Sequence, residues 1–330
     1  MAGIIFSSKE HVGLAQAELE SFFKEKLFSI AQGIFLTPTV IFEKDISLFG
    51  FAKESCNVLD SFSLAILFDG ASFDAQKKER LFRSCVKTLN AHAQDNYCVK
   101  QKKGDTQSIS FLTRDLQKYV AKELSYKVNL SKPKKTFYVL QTKEMLYILE
   151  LIATNEDSPR QRRAHLQAVS KPIAIHPKIA KAMNLLAQSN SIIDPFCGAG
   201  GLLIEAALQG FIAKGSDIRQ DMVLATTKNA NYFGVDIVVK KEDFFDIKKR
   251  LPCIVTDLPY GQNSSLSLDK NFFYKKFFKH AQNTTNRVVV GLLAELSLED
   301  LLKGTHWKII QRHEIYIHKS LTRCVYVLTQ

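Results

Sequence analysis

The sequence predicts an α/β chain: a carboxy-terminal half built on a mostly parallel sheet, with an antiparallel hairpin at its end, preceded by an α+β region. Three observations carry this. From about Ile173 onward, short β-branched runs alternate with helical stretches, the pattern of β-α units that lie parallel with helices on both faces. The last two apolar runs, Trp307 to Ile317 and Cys324 to Leu328, are separated by a short polar stretch and read as a hairpin. The first 150 residues mix helices and strands without that alternation.

Length and composition fit this reading. The 330 residues are 46% hydrophobic and 24% charged, ordinary globular values, and suggest about two domains. No apolar run approaches the roughly 20 residues a bilayer crossing needs, and the start shows no basic leader followed by a long apolar stretch. A membrane span and a signal peptide are therefore not expected. The six cysteines (56, 85, 98, 197, 253 and 324) form no Cys-x-x-Cys pair and have no histidine at zinc spacing. They read as buried thiols in a reducing compartment, which points to the cytoplasm, and no metal is expected. Nothing suggests a coiled coil or an obligate dimer surface, so a monomer is the expectation.

Net charge is +12, unevenly distributed. Residues 1–70 carry −4, 71–150 carry +8, 151–190 carry +4 and 191–330 carry +4. Positive charge gathers in the middle of the chain, where a polyanion would release counterions on binding; a basic surface without a partner gives the same count.

Element by element, residues 1–70 form a first α+β subdomain, with an amphipathic helix over Gly13–Phe23 and a strand over Thr39–Phe42. Residues 71–153 form a second module. It has a helix over Lys77–Ala91, a strand over Asn96–Lys100, a basic turn over Gln101–Gly104 and a helix over Ser108–Lys122. The segment Lys127-Val-Asn-Leu-Ser-Lys-Pro133 follows, then a hairpin of Lys135–Leu140 and Met145–Glu150. This order of strand, basic turn, helix, Lys-Val-Asn-Leu-x-x-Pro and hairpin resembles a THUMP domain, an RNA-binding module of RNA-modifying enzymes. Residues 154–172 read as a polar linker, whose three arginines would either touch phosphate or face solvent. Residues 173–330 form the last domain. Its strands are Ser191–Phe196, Ile212–Asp217, Asp236–Asp243, Cys253–Asp257 and Arg287–Leu293, and its helices cover Gly201–Leu208, Asp221–Tyr232 and Asn271–Ala281. Parallel sheets bind ligands beyond the carboxyl ends of their strands, so those ends are where the chemistry is sought.

The first strand ends in Asp194-Pro-Phe-Cys-Gly-Ala-Gly-Gly201. Gly198 and Gly200 let backbone pass close to a ligand, and the helix amino terminus that follows favours a carboxylate or phosphate. The dinucleotide fingerprint G-x-G-x-x-G is incomplete, since position 203 is Leu203. Asp194 suits a ligand with an ammonium group instead, and S-adenosylmethionine has both an amino and a carboxylate end; a purely structural glycine turn is the competing reading. Asp217, ending the next strand, sits where a carboxylate accepts two ribose hydroxyls, or else caps a helix. Asp243 and Phe244, ending the third, would accept the adenine amino group and cover the ring, or form an exposed turn.

The fourth strand ends in Thr256-Asp257-Leu-Pro-Tyr-Gly261. This resembles the [Asn/Asp/Ser]-Pro-Pro-Tyr motif of methyltransferases that act on amino groups conjugated to a planar ring. Leu258 departs from the usual Pro, which alters loop stiffness more than chemistry. The exocyclic amine of guanine shares its lone pair with the ring and is a poor nucleophile. Asp257 and the main-chain carbonyl beside Pro259 can each accept an N–H and favour a pyramidal nitrogen, while Tyr260 offers a ring face to a base swung out of its helix.

The chain as a whole resembles the archaeal tRNA (guanine-10, N2)-methyltransferases and their eukaryotic relatives, with the likeness strongest from Pro172 to Gly261. The segment Ile175-His-Pro-Lys-Ile-Ala-Lys-Ala-Met183 matches the family's approach to the catalytic domain, and Asp257-Leu-Pro-Tyr-Gly-x-x-Ser-Ser265 is similar to archaeal members. The resemblance implies a class I, Rossmann-like methyltransferase domain preceded by a THUMP-containing region, with S-adenosylmethionine as cofactor, S-adenosylhomocysteine as product and tRNA as partner. It implies N2-methylguanosine or N2,N2-dimethylguanosine as the modified nucleoside. Related enzymes for other guanines usually carry Asn where Asp257 stands, so Asp257 favours guanine 10. Lys100, Lys102, Lys103 and Arg114 are the expected phosphate contacts, against a solvated charged face. The alternatives are an amino methyltransferase acting on another RNA guanine, in tRNA or rRNA, and a non-catalytic RNA-binding protein with a relict cofactor fold.

Overall fold

A computed structural model describes the chain except residues 1, 70–71, 94–95, 105–109, 125, 164–165, 170–174, 259–269 and 319–320; side chains of 68–69, 72–73, 103, 110–113, 318 and 321 also lie outside the description. In chain order the elements open with β1 (Gly3–Ser7), α1 (Val12–Phe23), β2 (Phe28–Ala31), β3 (Ile34–Thr37), α2 (Glu43–Ile46) and β4 (Ala52–Ser63). Next come β5 (Phe68–Asp69), β6 (Ser72–Phe73), α3 (Ala75–His92), β7 (Tyr97–Lys103), α4 (Ser110–Glu123), β8 (Lys135–Gln141) and β9 (Met145–Thr154). Then follow α5 (Pro177–Leu186), β10 (Ser191–Asp194), α6 (Gly201–Leu208), β11 (Ile212–Asp217), α7 (Gln220–Phe233), β12 (Val238–Lys241) and β13 (Ile254–Asp257). The last are α8 (Lys270–Thr284), β14 (Arg287–Leu293), α9 (Leu298–Leu301), β15 (Lys308–His318) and β16 (Leu321–Thr329).

These elements form two compact units. The first comprises Met1–Val12, Lys26–Ile46 and Ala52–Glu156; the second comprises Gly13–Glu25, Ser47–Phe51 and Asp157–Gln330.

The first unit is a seven-stranded sheet in the order β2-β3-β1-β4-β9-β8-β7. All pairs are antiparallel except β7 with β8. One face packs against α3 and α4 through Leu81, Phe82, Leu89, Leu116 and Val120, which bury Phe137 and Ile148 of the sheet. The apolar spacing of both helices at three and four residues produces that contact, and Asp74 starts α3 by accepting the N–H groups of Gln76 and Lys77 at 2.8 and 2.9 Å. The other face carries a second core around Ile4, Phe6, Cys56 and Tyr138.

This sheet revises the expected boundary at residue 70. β4 pairs with β9 along its length, from Glu54 opposite Thr154 to Ser63 opposite Met145, so residues 1–70 share one sheet with 71–153. The strand expected at Thr39–Phe42 falls instead at Ile34–Thr37. Pro38 lacks an N–H and ends the ladder, and Thr37 Oγ1 donates to the Thr39 carbonyl at 2.8 Å to turn the chain. The basic turn expected at Gln101–Gly104 is also corrected, because β7 runs on through Lys103, paired with Gln141.

The second unit takes in two stretches from the amino-terminal region. Glu18 of α1, fully buried, accepts the N–H groups of Gly50 and Phe51 at 3.0 and 2.9 Å. Gly50 lies so close to Lys178 that a Cβ would stand 2.1 Å from its carbonyl oxygen. Gln209 Nε2 donates to the Leu48 carbonyl at 2.7 Å. The expected linker is not a solvated tether where it is described. Arg162, in a 3-10 turn at Pro159–Arg162, donates to both oxygens of Asp157 (2.7 and 2.8 Å) and of Glu205 (2.7 and 2.9 Å). Lys181, almost wholly buried, completes this cluster on Asp157. Breaking one partner of so enclosed a set leaves a charge uncompensated.

The sheet of this unit is the parallel trio β12-β11-β10 beside β13-β14-β16-β15, in which β13 and β14 are parallel and the last pairs antiparallel. β10 and β13 lie side by side: Thr256 Oγ1 donates to Asp194 Oδ1 at 2.7 Å and Cys253 Sγ to the Ser191 carbonyl at 3.0 Å. Strand order reverses between them, which makes this the switch point where open α/β sheets place ligands. The helix Gly201–Leu208, the strand Ile212–Asp217 and the closing hairpin all fall where the sequence predicts them.

Candidate active site

Three carboxylates stand at the carboxyl ends of neighbouring strands: Asp194 on β10, Asp217 on β11 and Asp257 on β13. Between β10 and α6 the chain makes the glycine turn. Gly198 has φ +53° and Gly200, the residue capping α6, has φ +88°, left-handed values that favour glycine. A Cβ on Gly200 would meet Thr226 at 2.8 Å, whereas around Gly198 and Gly201 a Cβ would meet nothing within 4 Å. The turn thus presses against α7 on one side and leaves open space at Gly198 and Gly201. α7 holds it there: Thr226 Oγ1 donates to the Gly198 carbonyl at 2.8 Å and Asn229 Nδ2 to the Ala199 carbonyl at 3.0 Å.

Asp217 accepts the Gly198 N–H on Oδ2 at 3.0 Å and the Arg219 N–H on Oδ1 at 2.9 Å. It therefore fixes the turn, while each oxygen retains a second lone pair for a hydroxyl. Burial pushes its pKa up against the pull of those two N–H groups. Asp194 is only 2% exposed. Its Oδ1 takes the Thr256 hydroxyl and the Phe196 N–H at 3.0 Å, so it ties β10 to β13 and shapes the turn from below. Burial raises its pKa to about 7, with Asp217 and Asp257 adding repulsion.

Asp257 sits beside Arg323 of β16, which donates through Nη1 to Oδ2 at 3.0 Å. The side chains are 13% and 9% exposed. Desolvation raises the pKa of Asp257 and the Arg323 charge opposes it. Gly291, the register partner of Asp257 on β14, makes room for the carboxylate: a Cβ there would stand 2.5 Å from Oδ1. Pro259 and Tyr260 lie outside the described residues.

Asp243 is half-buried and accepts the Phe245 N–H at 3.0 Å, capping a 3-10 turn. Phe244 differs from expectation. It is 1% exposed, edge-on to Phe196 and tilted against Phe277. Its ring belongs to the core. All six cysteines are buried free thiols, and burial pushes the Cys197 and Cys253 thiols up, away from the reactive thiolate.

Of the cations expected to meet phosphate, Lys100 and Arg114 are exposed. Lys102 donates to Glu54 Oε2 at 2.5 Å and stands 4.9 and 4.4 Å over the rings of Phe6 and Tyr138. The Lys103 side chain lies outside the description. Sequence reasoning missed Thr256, Gly291 and Arg323. Only Arg323 left a signal: a cation within the apolar run Leu321–Leu328, where burial calls for an acid partner.

The strand order and the three strand-end acids define a class I methyltransferase fold. A family model described as RMKL-like, methyltransferase domain, matches residues 164–323. The tRNA (guanine(10)-N2)-dimethyltransferase of Methanothermobacter thermautotrophicus is 30% identical over 250 residues, 72% of this chain and 74% of that protein. That of Pyrococcus abyssi is 34% identical over 210 residues, 61% of this chain and 64% of its own length. The chain belongs to the tRNA (guanine(10)-N2)-dimethyltransferase family, although the alignment spans less than two thirds of the Pyrococcus protein. Among solved structures, TrmN from Thermus thermophilus aligns over the whole of both chains with a TM-score of 0.57 at 16% identity, a likeness of fold. Among the described residues no helix is long and apolar enough to cross a membrane.

Proposed function

We propose that this chain methylates the exocyclic N2 of guanosine 10 in tRNA, using S-adenosylmethionine and releasing S-adenosylhomocysteine. One observation carries the reading: Asp257, at the end of β13, shares the switch point with Asp194, Asp217 and an open glycine turn.

The residues present fit the cofactor. The space over Gly198 and Gly201 admits a ligand against the backbone, and the amino terminus of α6 favours its carboxylate end. Asp217 would accept the ribose hydroxyls, Asp243 would accept the adenine amino group, and Asp194, when ionised, would favour the ammonium group. When bound, S-adenosylmethionine supplies a methyl group on a sulfonium, an electrophile that needs no metal.

The protein's part is to prepare the amine. Asp257 accepts one N–H of guanine N2, and the carbonyl beside Pro259 is assigned the other. Two acceptors below the ring plane favour a pyramidal nitrogen whose lone pair is no longer shared with the base. Transfer would form the N–C bond as the S–C bond breaks. Guanine N2–H is far too weak an acid for Asp257 to deprotonate first, so the proton leaves during or after transfer. Tyr260 is assigned to the face of the flipped base.

The first unit is read as carrying a THUMP module within its single seven-stranded sheet, with Lys100 and Arg114 toward the tRNA backbone. The relatives' names specify dimethylation, so two successive transfers are expected of this chain, acting as a cytoplasmic monomer. Mass spectrometry of nucleosides from unmodified tRNA, before and after incubation with protein and cofactor, tests the reading. N2-methylated guanosine is expected, lost when guanine 10 is replaced by adenine. Methylation that survives that replacement would overturn the site assignment, and no methylation of any RNA would overturn the activity.

A further inference from the structure

A strong contact to Asp257 comes from the far end of the sequence, from Arg323. β13 and β14 pair Asp257 with Gly291, and β14 and β16 pair Gly291 with Val325. Arg323 lies two residues from Val325, on the same face of the sheet as Asp257. From there Nη1 reaches Asp257 Oδ2 at 3.0 Å, while the missing Cβ of Gly291 lets Oδ1 settle over the β14 backbone. The Leu258 N–H donates to the Gly291 carbonyl at 3.3 Å, which holds the chain immediately after Asp257 to the same residue.

We propose that Arg323 is the positioning residue for Asp257: it clamps the carboxylate through Oδ2 while Oδ1 is seated against Gly291, and so holds the ionised group at a fixed angle to the guanine N–H. This rests on the function proposed above and goes beyond it by giving the antiparallel hairpin a role in catalysis. A carboxylate lifted from solvent by the sheet would otherwise take up a proton and lose its acceptor strength. Other groups face it as well. Asp194 on β10 and Tyr274 on α8 stand close enough to interact electrostatically. Arg323 is the cation that Asp257 touches among the described residues.

The test uses the full chain with Arg323→Gln, Arg323→Lys and Gly291→Ala. In Arg323→Gln the single-turnover rate of methyl transfer should fall about 100-fold, the scale of a misplaced reacting group, while calorimetric affinity for S-adenosylmethionine stays within about twofold. The acidic limb of the pH profile should move to higher pH, because loss of the neighbouring positive charge lets Asp257 hold its proton longer. Arg323→Lys, which restores charge but not the planar guanidinium, should return that limb toward the parent while recovering only part of the rate. Gly291→Ala should lower the rate without moving the limb so far. A slow Arg323→Gln enzyme with an unmoved acidic limb and no recovery in Arg323→Lys would overturn the proposal.

A second readout is independent of substrate. The 13C carboxyl signal of Asp257 in the ligand-free protein, assigned by its absence in Asp257→Asn, should titrate at higher pH in Arg323→Gln than in the parent. An unchanged midpoint overturns the clamp. A moved midpoint in a protein that methylates no RNA keeps the clamp and rejects the proposed activity.

Discussion

The two units use charge in opposite ways. In the second, carboxylates stand at the ends of parallel strands, withdrawn from solvent, with Asp194, Asp217 and Asp257 all pushed toward higher pKa. In the first, several described cations are bound to acids of their own fold: Lys102 on Glu54, Lys135 on Glu150, Lys78 on Asp115 and Arg83 on Glu79. The net charge of +8 over residues 71–150 already counts three of those acids, so the pairs show which cations are committed, not how much charge is left for a polyanion. An acid at a strand end is informative because the fold dictates where strand ends meet; a lysine count is not, because lysines also serve the sheet.

The largest expected effect falls on Asp257. Asp257→Asn keeps the size and one acceptor oxygen but removes the charge, and methyl transfer should fall by about 10²–10³-fold or more. Filter binding of tRNA should be unchanged. A variant that still transfers at the parent rate would remove the distinction between the units, since the buried acid would then be as structural as Lys102.

How far this was legible depends on spacing. The places of Asp194, Asp217 and Asp257 at strand ends, and of Gly198 and Gly200 in the turn before α6, are readable because they lie at the junctions of β-α units. The helix Gly201–Leu208 and strand Ile212–Asp217 stand where periodicity puts them. Arg323 is not readable as a partner: 66 residues separate it from Asp257, and only the pairing of β14 with β16 joins them. The place of the Phe244 ring is not readable, because an aromatic after an acid looks alike whether its ring faces a ligand or a core. Packing against Phe196 and Phe277 decides it. The merging of residues 1–70 with the next module follows from the β4–β9 ladder, a pairing that no local pattern records.

The pH dependence of stability is the next effect in size. Asp194 titrates at about 7 in the folded protein, against an ordinary value of 3.8. Below about pH 4 the group is protonated in both folded and unfolded chains. Between there and pH 7 the unfolded chain releases its proton while the folded one keeps it, so stability declines as pH rises. Roughly 4 kcal/mol is the upper scale for a shift of about three units. Denaturant unfolding followed through the second unit should show this slope. Asp194→Asn, whose amide oxygen can still accept from Thr256 and Phe196, should flatten it; a slope left intact would mean the acid is ionised in place.

Asp217 comes third. Asp217→Ala removes both the clamp on the Gly198 N–H and the acceptor assigned to ribose, and should weaken S-adenosylmethionine binding about 10- to 100-fold by calorimetry, the range for hydrogen bonds to a charged group. Equal affinity in parent and variant would place the cofactor elsewhere than over the glycine turn.

The smallest effects test the first unit, where Lys100 and Lys102 offer a matched pair on one face of β7. Lys102 is held by Glu54 and lies over two rings, and Tyr138 donates to the other oxygen of Glu54 at 2.9 Å. Lys102→Ala should cost about 1 kcal/mol of stability through the lost pair and ring contact and leave the salt dependence of tRNA binding nearly unchanged. Lys100 is exposed, and Lys100→Ala should do the reverse: stability held, affinity lowered a fewfold, and the slope of log K against log salt reduced by about one. Were both lysines to change the slope alike, the ion pair with Glu54 would open for RNA, and the contrast between committed and available cations would have to be redrawn from the bound state.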